Sequence, residues 1–219
     1  MPYFRNDKRN INLLYIHIPK TGGSTIEKYF SKKYRKNRGL TLKNLYSGNI
    51  FNRLSGLFYG SPQHQSLRTL MRFRRRLGIS RKNLKIIASV RNPYTRTISD
   101  LFHFKLINHK STQKQVFNVL CRYVFVRQGY DNHNLPQYTF IINNKGKIPK
   151  NAKIIKNENL NEDMANIGYK GLETIRKRKV GKSHKKNYYN YLNKDSINLI
   201  NKVYNKDFEL FCYDKITNS

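Results

Sequence analysis

The sequence predicts an α/β fold with a central parallel β-sheet flanked by helices, and three observations carry that expectation. Leu13–Ile18 and Leu84–Val90 are short, nearly continuous apolar runs of the length expected for strands covered on both faces. Each run is broken by a turn signal, Pro19 after the first and Arg91-Asn92-Pro93 after the second. Each is then followed by a segment with helical spacing, and strands alternating with helices require crossover connections and hence parallel pairing.

Taken in order, Met1–Asn10 reads as a polar arm ahead of a single domain spanning residues 11–219. The first strand runs over Ile11–Ile18. Gly22 and Gly23 permit a positive φ and a close backbone approach, and Ser24 or Thr25 supplies a cap for a helix over Thr25–Tyr34, which packs Ile26, Tyr29 and Phe30 inward. Arg35–Gly60 has no sustained period and reads as irregular surface suited to acceptor-binding loops. Ser61–Ser66 is a turn carrying His64. Leu67–Leu77 predicts a basic helix with Arg72, Arg74, Arg75 and Arg76, equally suited to a solvated face or to contact with an anionic acceptor.

The second strand, Leu84–Val90, leads through Pro93, a residue suited to a first helical turn, into a helix over Tyr94–Asn108. A further helix is expected over Val116–Val126, then a loop over Asp131–Gln137 and strands over Tyr138–Ile142 and Lys153–Lys156. Arg176–Lys186 is a basic, glycine-interrupted loop, read either as a lid or as a solvated charge run. The last helix spans Asp195–Tyr204 and turns Ile197, Ile200, Val203 and Tyr204 inward.

Composition bounds the partners. Among 219 residues, 44 are basic and 12 acidic, giving a net charge of +32, and no Asp or Glu occurs between Glu27 and Asp100. A chain so charged attracts an anionic partner, whether a nucleotide, a nucleic acid, an acidic lipid or an acidic glycan. Two cysteines, Cys121 and Cys212, cannot build a disulfide framework and show no metal-ligand spacing. No run approaches the ~20 apolar residues of a membrane span, and the polar N-terminal stretch leads to the expectation of no signal peptide or anchor. The expectation is a soluble cytoplasmic protein of a bacterial or virus-infected cell.

Two turns carry the chemistry. Free amides at a helix start, reinforced by the helix dipole and flanked by Lys20, form an anion site over Pro19-Lys20-Thr21-Gly22-Gly23-Ser24-Thr25. The lysine precedes the glycines, which departs from the phosphate loop of nucleotide triphosphatases, where it follows them. Arg91 leaves the second strand with a guanidinium fork, and Ser99 lies about two turns along the next helix, so both can face one phosphate.

Pro19–Thr25 resembles the 5′-phosphosulfate loop of sulfotransferases that use 3′-phosphoadenosine-5′-phosphosulfate (PAPS), and Arg91 with Ser99, eight residues apart, resembles their 3′-phosphate motif. His133-Asn-Leu-Pro-Gln137, Asn157-Glu-Asn-Leu160 and Tyr204–Tyr213 resemble segments of the carbohydrate branch that includes heparan and chondroitin sulfotransferases, family 2. The resemblance covers about Leu13–Asp214 and implies a P-loop-like three-layer fold, PAPS as co-substrate, no metal, and a carbohydrate hydroxyl as acceptor, an acidic glycan among the candidates. It implies that Lys20 stabilises the leaving phosphate and that a histidine between the donor motifs, His64, is the base, with His133 its rival. His133, Gln137, Arg72 and Arg75 are candidate acceptor contacts. No specific nucleic acid is expected. Two other readings fit parts of the sequence: a non-catalytic polyanion-binding protein, which accounts for the charge, and a P-loop-like small-molecule kinase.

Overall fold

The computed structural model describes residues 3–34, 62–126, 130–175 and 187–217. The expected acceptor loops of Arg35–Gly60 and the basic loop of Arg176–Lys186 lie outside the described residues. Four strands, β1 (Tyr3–Asn6), β2 (Ile11–Ile16), β3 (Lys85–Val90) and β4 (Ala152–Lys156), form one sheet in the order β1-β2-β3-β4. β2, β3 and β4 are parallel, with Leu14 opposite Ile86 and Ile86 opposite Ala152, while β1 adds an antiparallel edge.

Pleating sends alternate residues to opposite faces, and both faces are covered. Leu14, Ile16, Ile86 and Ala88 pack against α2 (Leu67–Arg72) and α5 (Tyr138–Ile141). Leu13, Tyr15, Ile87 and Ile155 pack against α1 (Gly23–Lys33) and α6 (Leu160–Asn166) through Ile26, Phe30 and Met164. This is the α/β fold expected, a mostly parallel sheet flanked by helices. Beside it, α3 (Pro93–His103), α4 (Gln113–Tyr123), α7 (Lys194–Val203) and α8 (Asn205–Phe211) bury Tyr94, Ile98, Leu101, Val116, Leu120, Ile200, Tyr204 and Phe208 in a helical cluster. Among the described residues no helix is long and apolar enough to cross a membrane.

Three expectations are corrected. The expected polar arm of Met1–Asn10 is not one over its described residues, 3–10: Tyr3 and Phe4 are buried, and Tyr3–Asn6 pairs with β2. The basic helix ends at Arg72, where Phe73 forms its C-cap, so the arginine run continues as turns. Tyr138–Ile141 is a helical turn, although its aromatic and β-branched residues favour a strand. The reason is a cap from far along the chain: both carboxylate oxygens of Asp207 accept amides, from Gln137 and Tyr138, each at 2.8 Å.

Candidate active site

The donor-type loop sits at the carboxyl end of β2, where ligands bind in parallel α/β sheets. Its conformation is fixed from beneath by a buried hydroxyl chain. Tyr15 Oη meets Ser89 Oγ at 2.6 Å, Ser89 Oγ meets Thr21 Oγ1 at 2.7 Å, and Thr21 Oγ1 donates to the Ile18 carbonyl at 2.8 Å. Thr21 is fully buried, so its side chain anchors the loop and only its backbone is placed to serve a ligand. Burial raises the Tyr15 hydroxyl above its ordinary range and keeps it a neutral donor.

The glycines have separate reasons. Gly22 adopts φ 86°, and a Cβ there would stand 2.5 Å from Asn157 Nδ2. Gly23 has an ordinary helical φ, but its Cβ would stand 2.4 Å from His17 Nε2. Gly22, with no side chain, is the N-cap of α1, so neither Ser24 nor Thr25 caps the helix as expected. Without a side-chain cap, the helix start keeps its amides and its positive dipole end directed at the loop. Lys20 stands beside it with φ 64°, a left-handed conformation uncommon for a side chain of this kind.

The second motif leaves the carboxyl end of the neighbouring strand β3. Asn92 caps α3, accepting from the amides of Tyr94 and Thr95, with Pro93 in the first turn as the sequence predicted. Arg91 Nη1 donates to the Lys20 carbonyl at 3.3 Å, its Nε donates to Thr95 Oγ1 at 3.0 Å, and its guanidinium lies over the Tyr188 ring, 5.4 Å from the centroid. The two predicted anion-binding turns therefore touch each other. Ser99 lies on the same helix and is 6% exposed.

A third group converges on the loop. His17 Nδ1 donates to Glu27 Oε1 at 2.6 Å, a buried pair that fixes the ring against Gly23. His64 Nδ1 donates to the His17 carbonyl at 3.2 Å, and its ring meets those of His17 and His133 edge-on, with centroids 5.0 and 4.8 Å away. Burial, with the nearby imidazoles of His17 and His133 adding to it, pushes the His64 pKa down to about 2, so the ring is neutral. His133 Nδ1 donates to Asp100 Oδ1 at 2.7 Å. Burial alone would raise the Asp100 carboxyl, but the His133 hydrogen bond and the charge of Arg96 bring it below the usual range. Asp100 therefore stays ionised and also accepts a short hydrogen bond from Tyr123 Oη.

Arg96 is the residue that sequence reasoning missed. It is 2% exposed, and its Nε donates to the Pro19 carbonyl at 3.2 Å while Nη2 donates to the His133 carbonyl at 2.5 Å. One buried guanidinium thus holds the donor-type loop and the His133 loop together. The available signal was a cation at the centre of the apolar face of a predicted helix, where a buried charge requires partners. Glu158 has a related role, accepting from the Asn92 amide and from Tyr213 Oη, which ties the end of the chain to the second motif.

The expected acceptor contacts divide. Gln137 is fully buried, with Oε1 accepting from the Arg91 amide at 2.9 Å and Nε2 donating to the Arg91 carbonyl at 2.8 Å, so it holds Arg91 from behind instead of touching an acceptor. Arg72 is exposed and lines a cavity of about 420 Å³ that begins at His64 and runs past Asn132 and Phe73. Arg75 is exposed beside it, in a second cavity of about 360 Å³ lined by Arg72–Arg76. Arg72 and Phe73 line both cavities, so the arginine run lies next to the cavity that His64 borders.

Comparison with known proteins agrees with this geometry. The model of the sulfotransferase family matches residues 2–214, nearly the whole chain. No curated protein and no solved structure gives a significant match. A match of that extent, over a chain whose two anion-type turns meet at adjacent parallel strands, establishes that this protein belongs to the sulfotransferase family.

Proposed function

We propose that the chain transfers a sulfuryl group from PAPS to a hydroxyl of a carbohydrate acceptor. The observation that carries this reading is the contact between Arg91 and the Lys20 carbonyl, which joins two anion sites of different character at neighbouring strand ends. An uncapped helix start with Gly22 and Gly23 suits the 5′-phosphosulfate, and a guanidinium braced by Thr95, on a backbone held by Gln137, suits a 3′-phosphate. A nucleotide with charge at both ends fits that pair; one with charge at a single end leaves Arg91 unused.

Sulfuryl transfer moves a charged group in line between two oxygens, so positioning and electrostatics supply most of the acceleration. His133 Nε2 takes the acceptor hydroxyl proton, because Asp100 holds the ring by Nδ1 and stabilises the imidazolium that forms. His64, which stays neutral, lines the cavity of about 420 Å³ and orients the hydroxyl. The acceptor oxygen bonds to sulfur as the bond from sulfur to the 5′-phosphate oxygen breaks, and Lys20 with the α1 amides takes up the charge left on that phosphate. This revises the choice between the two histidines in favour of His133. Arg72, which lines the cavity bordered by His64, and Arg74, Arg75 and Arg76 in the adjoining one favour an acidic acceptor.

The test is calorimetric titration with 3′-phosphoadenosine-5′-phosphate, ATP and AMP at moderate salt, where the +32 charge is screened. Selective binding of the bisphosphate, lost in Arg91→Ala and retained in His133→Ala, supports the reading. His133→Ala then lowers turnover by about 10²–10⁴ with donor affinity unchanged. Equal, salt-sensitive binding of all three nucleotides would return the protein to the polyanion-binding class.

A further inference from the structure

We propose that His64, Asp131 and His133 form a binding site for a divalent transition-metal ion of the zinc class, and that its occupation inhibits turnover. One ring nitrogen of each histidine and one carboxylate oxygen of Asp131 lie within 4.8 Å of one another, and His64 Nε2 is 3.9 Å from Asp131 Oδ2. In a tetrahedral zinc site, bonds of about 2.0–2.1 Å place ligand atoms ~3.3 Å apart, so closure needs a contraction of about 0.6 Å between His64 and Asp131 and of at most about 1.5 Å for any pair.

The surrounding groups complete the case. A metal-binding imidazole generally donates its other ring N–H to a carboxylate or a backbone carbonyl, which fixes the tautomer and aims the remaining lone pair. Both histidines do so: His133 Nδ1 donates to Asp100 at 2.7 Å, and His64 Nδ1 donates to the His17 carbonyl at 3.2 Å. Their Nε2 atoms are left as the ligating positions. Asp131 is delivered by a turn in which Tyr130, Asp131 and Asn132 all have positive φ, at 55°, 50° and 65°. Asn132 Nδ2 pins that turn to the His64 carbonyl at 3.1 Å. Asp131 is the most exposed of the three, its side chain 35% accessible, so it is the ligand with the most room to adjust.

Two nitrogens and one oxygen suit zinc, which takes three protein ligands and one water in open sites. Magnesium and calcium, which prefer oxygen ligands throughout, do not fit this donor set. The inhibitory half of the proposal rests on the reading of His133 as the base, since a metal on Nε2 removes the lone pair that would accept the proton. The binding half is independent of it.

The experiment is titration of the chelator-treated full chain with Zn²⁺ by calorimetry, and with Co²⁺ by visible absorption, both without nucleotide. The expected result is one ion per chain, with the intense absorption of four-coordinate Co²⁺, weakened about 10-fold or more in Asp131→Asn and in His64→Ala. Asp131→Asn is nearly isosteric and alters a half-buried side chain, so it keeps the test decisive should His64→Ala fail to fold. With PAPS and an accepted glycan, Zn²⁺ then inhibits the wild type and EDTA reverses it, whereas Asp131→Asn keeps its metal-free turnover and resists Zn²⁺. Absence of saturable binding, or binding unchanged in Asp131→Asn, overturns the site. Metal binding with no turnover on any acceptor would leave the site standing and count against the functional reading alone.

Discussion

Replacing Gly23 by alanine tests whether the donor loop is built as described, because two physical effects there have opposite signs. Gly23 is the first residue of α1 and has an ordinary helical φ, so backbone propensity alone favours alanine by about 1 kcal/mol. The new Cβ, however, would lie 2.4, 2.6 and 2.7 Å from three atoms of the His17 ring, whereas ordinary contact begins at 3.4 Å. The overlap is therefore about 1 Å, and the ring cannot easily withdraw: Glu27 holds it at 2.6 Å and His64 packs edge-on against it. Overpacking of this size typically costs ~1–3 kcal/mol, which outweighs the propensity gain. The loop amides would move by a distance that typically costs ~10²-fold in rate.

The assay is thermal unfolding with bisphosphate titration for the wild type, Gly23→Ala, His17→Ala and the double variant. Gly23→Ala should lower Tm by about 2–4 °C per kcal/mol lost and weaken donor binding. In the His17→Ala background the same alanine should cost less, giving a coupling energy of roughly 0.5–3 kcal/mol. A Gly23→Ala protein with raised Tm and unchanged donor affinity would refute the close packing of His17 on the loop, and additive effects would refute its cause.

Three further outcomes are expected. Arg96→Met should destabilise by about 3–5 kcal/mol in urea titration, since it strips the Pro19 and His133 carbonyls of their buried donor and leaves Asp100 and Asp207 without the nearby cation; a loss below ~1 kcal/mol would contradict that role. Thr21→Val should cost about 1–3 kcal/mol by breaking the buried hydroxyl chain, and Thr21→Ser should recover most of it; equal stability of the two would mean the chain is not what holds the loop. Burial raises the Asp207 carboxyl above its ordinary range, so the folded state holds that proton more tightly than the unfolded chain does. Stability from this group is accordingly lost as pH rises from the ordinary carboxylate range through the raised folded value. The wild-type stability minus that of Asp207→Asn, which retains an acceptor oxygen, should be smaller at about pH 7 than at about pH 4 in urea titrations. A flat or rising difference would exclude it.

Much of the molecule follows from local pattern. β2 and β3 were legible because strands covered on both faces must be apolar throughout, and α1, α3, α4 and α7 because their buried residues recur at helical spacing. Asn92-Pro93 marked the start of α3 through side-chain oxygens and a fixed φ, both properties of single residues. Thr112 and Gln115, which form the capping box of α4, carry a signal of the same kind that places its start three residues ahead of Val116. The two anion-type turns were legible too, since glycine followed by a helix start, and an arginine leaving a strand, are chemistry confined to a few adjacent positions.

Sequence by itself determined the fold class, the family and the two loops. Tertiary structure decided which partners those residues have. Tyr138–Ile141 became helical because Asp207 reaches it across some 70 residues, and Gln137 became a brace because the Arg91 backbone lies beside it. The joining of His17, His64, Asp100 and His133, and of Arg96 to Pro19, depends on contacts between residues ten to 77 positions apart. Hydrogen-bond geometry and burial act through space, and a one-dimensional pattern carries period and local chemistry but not those distances.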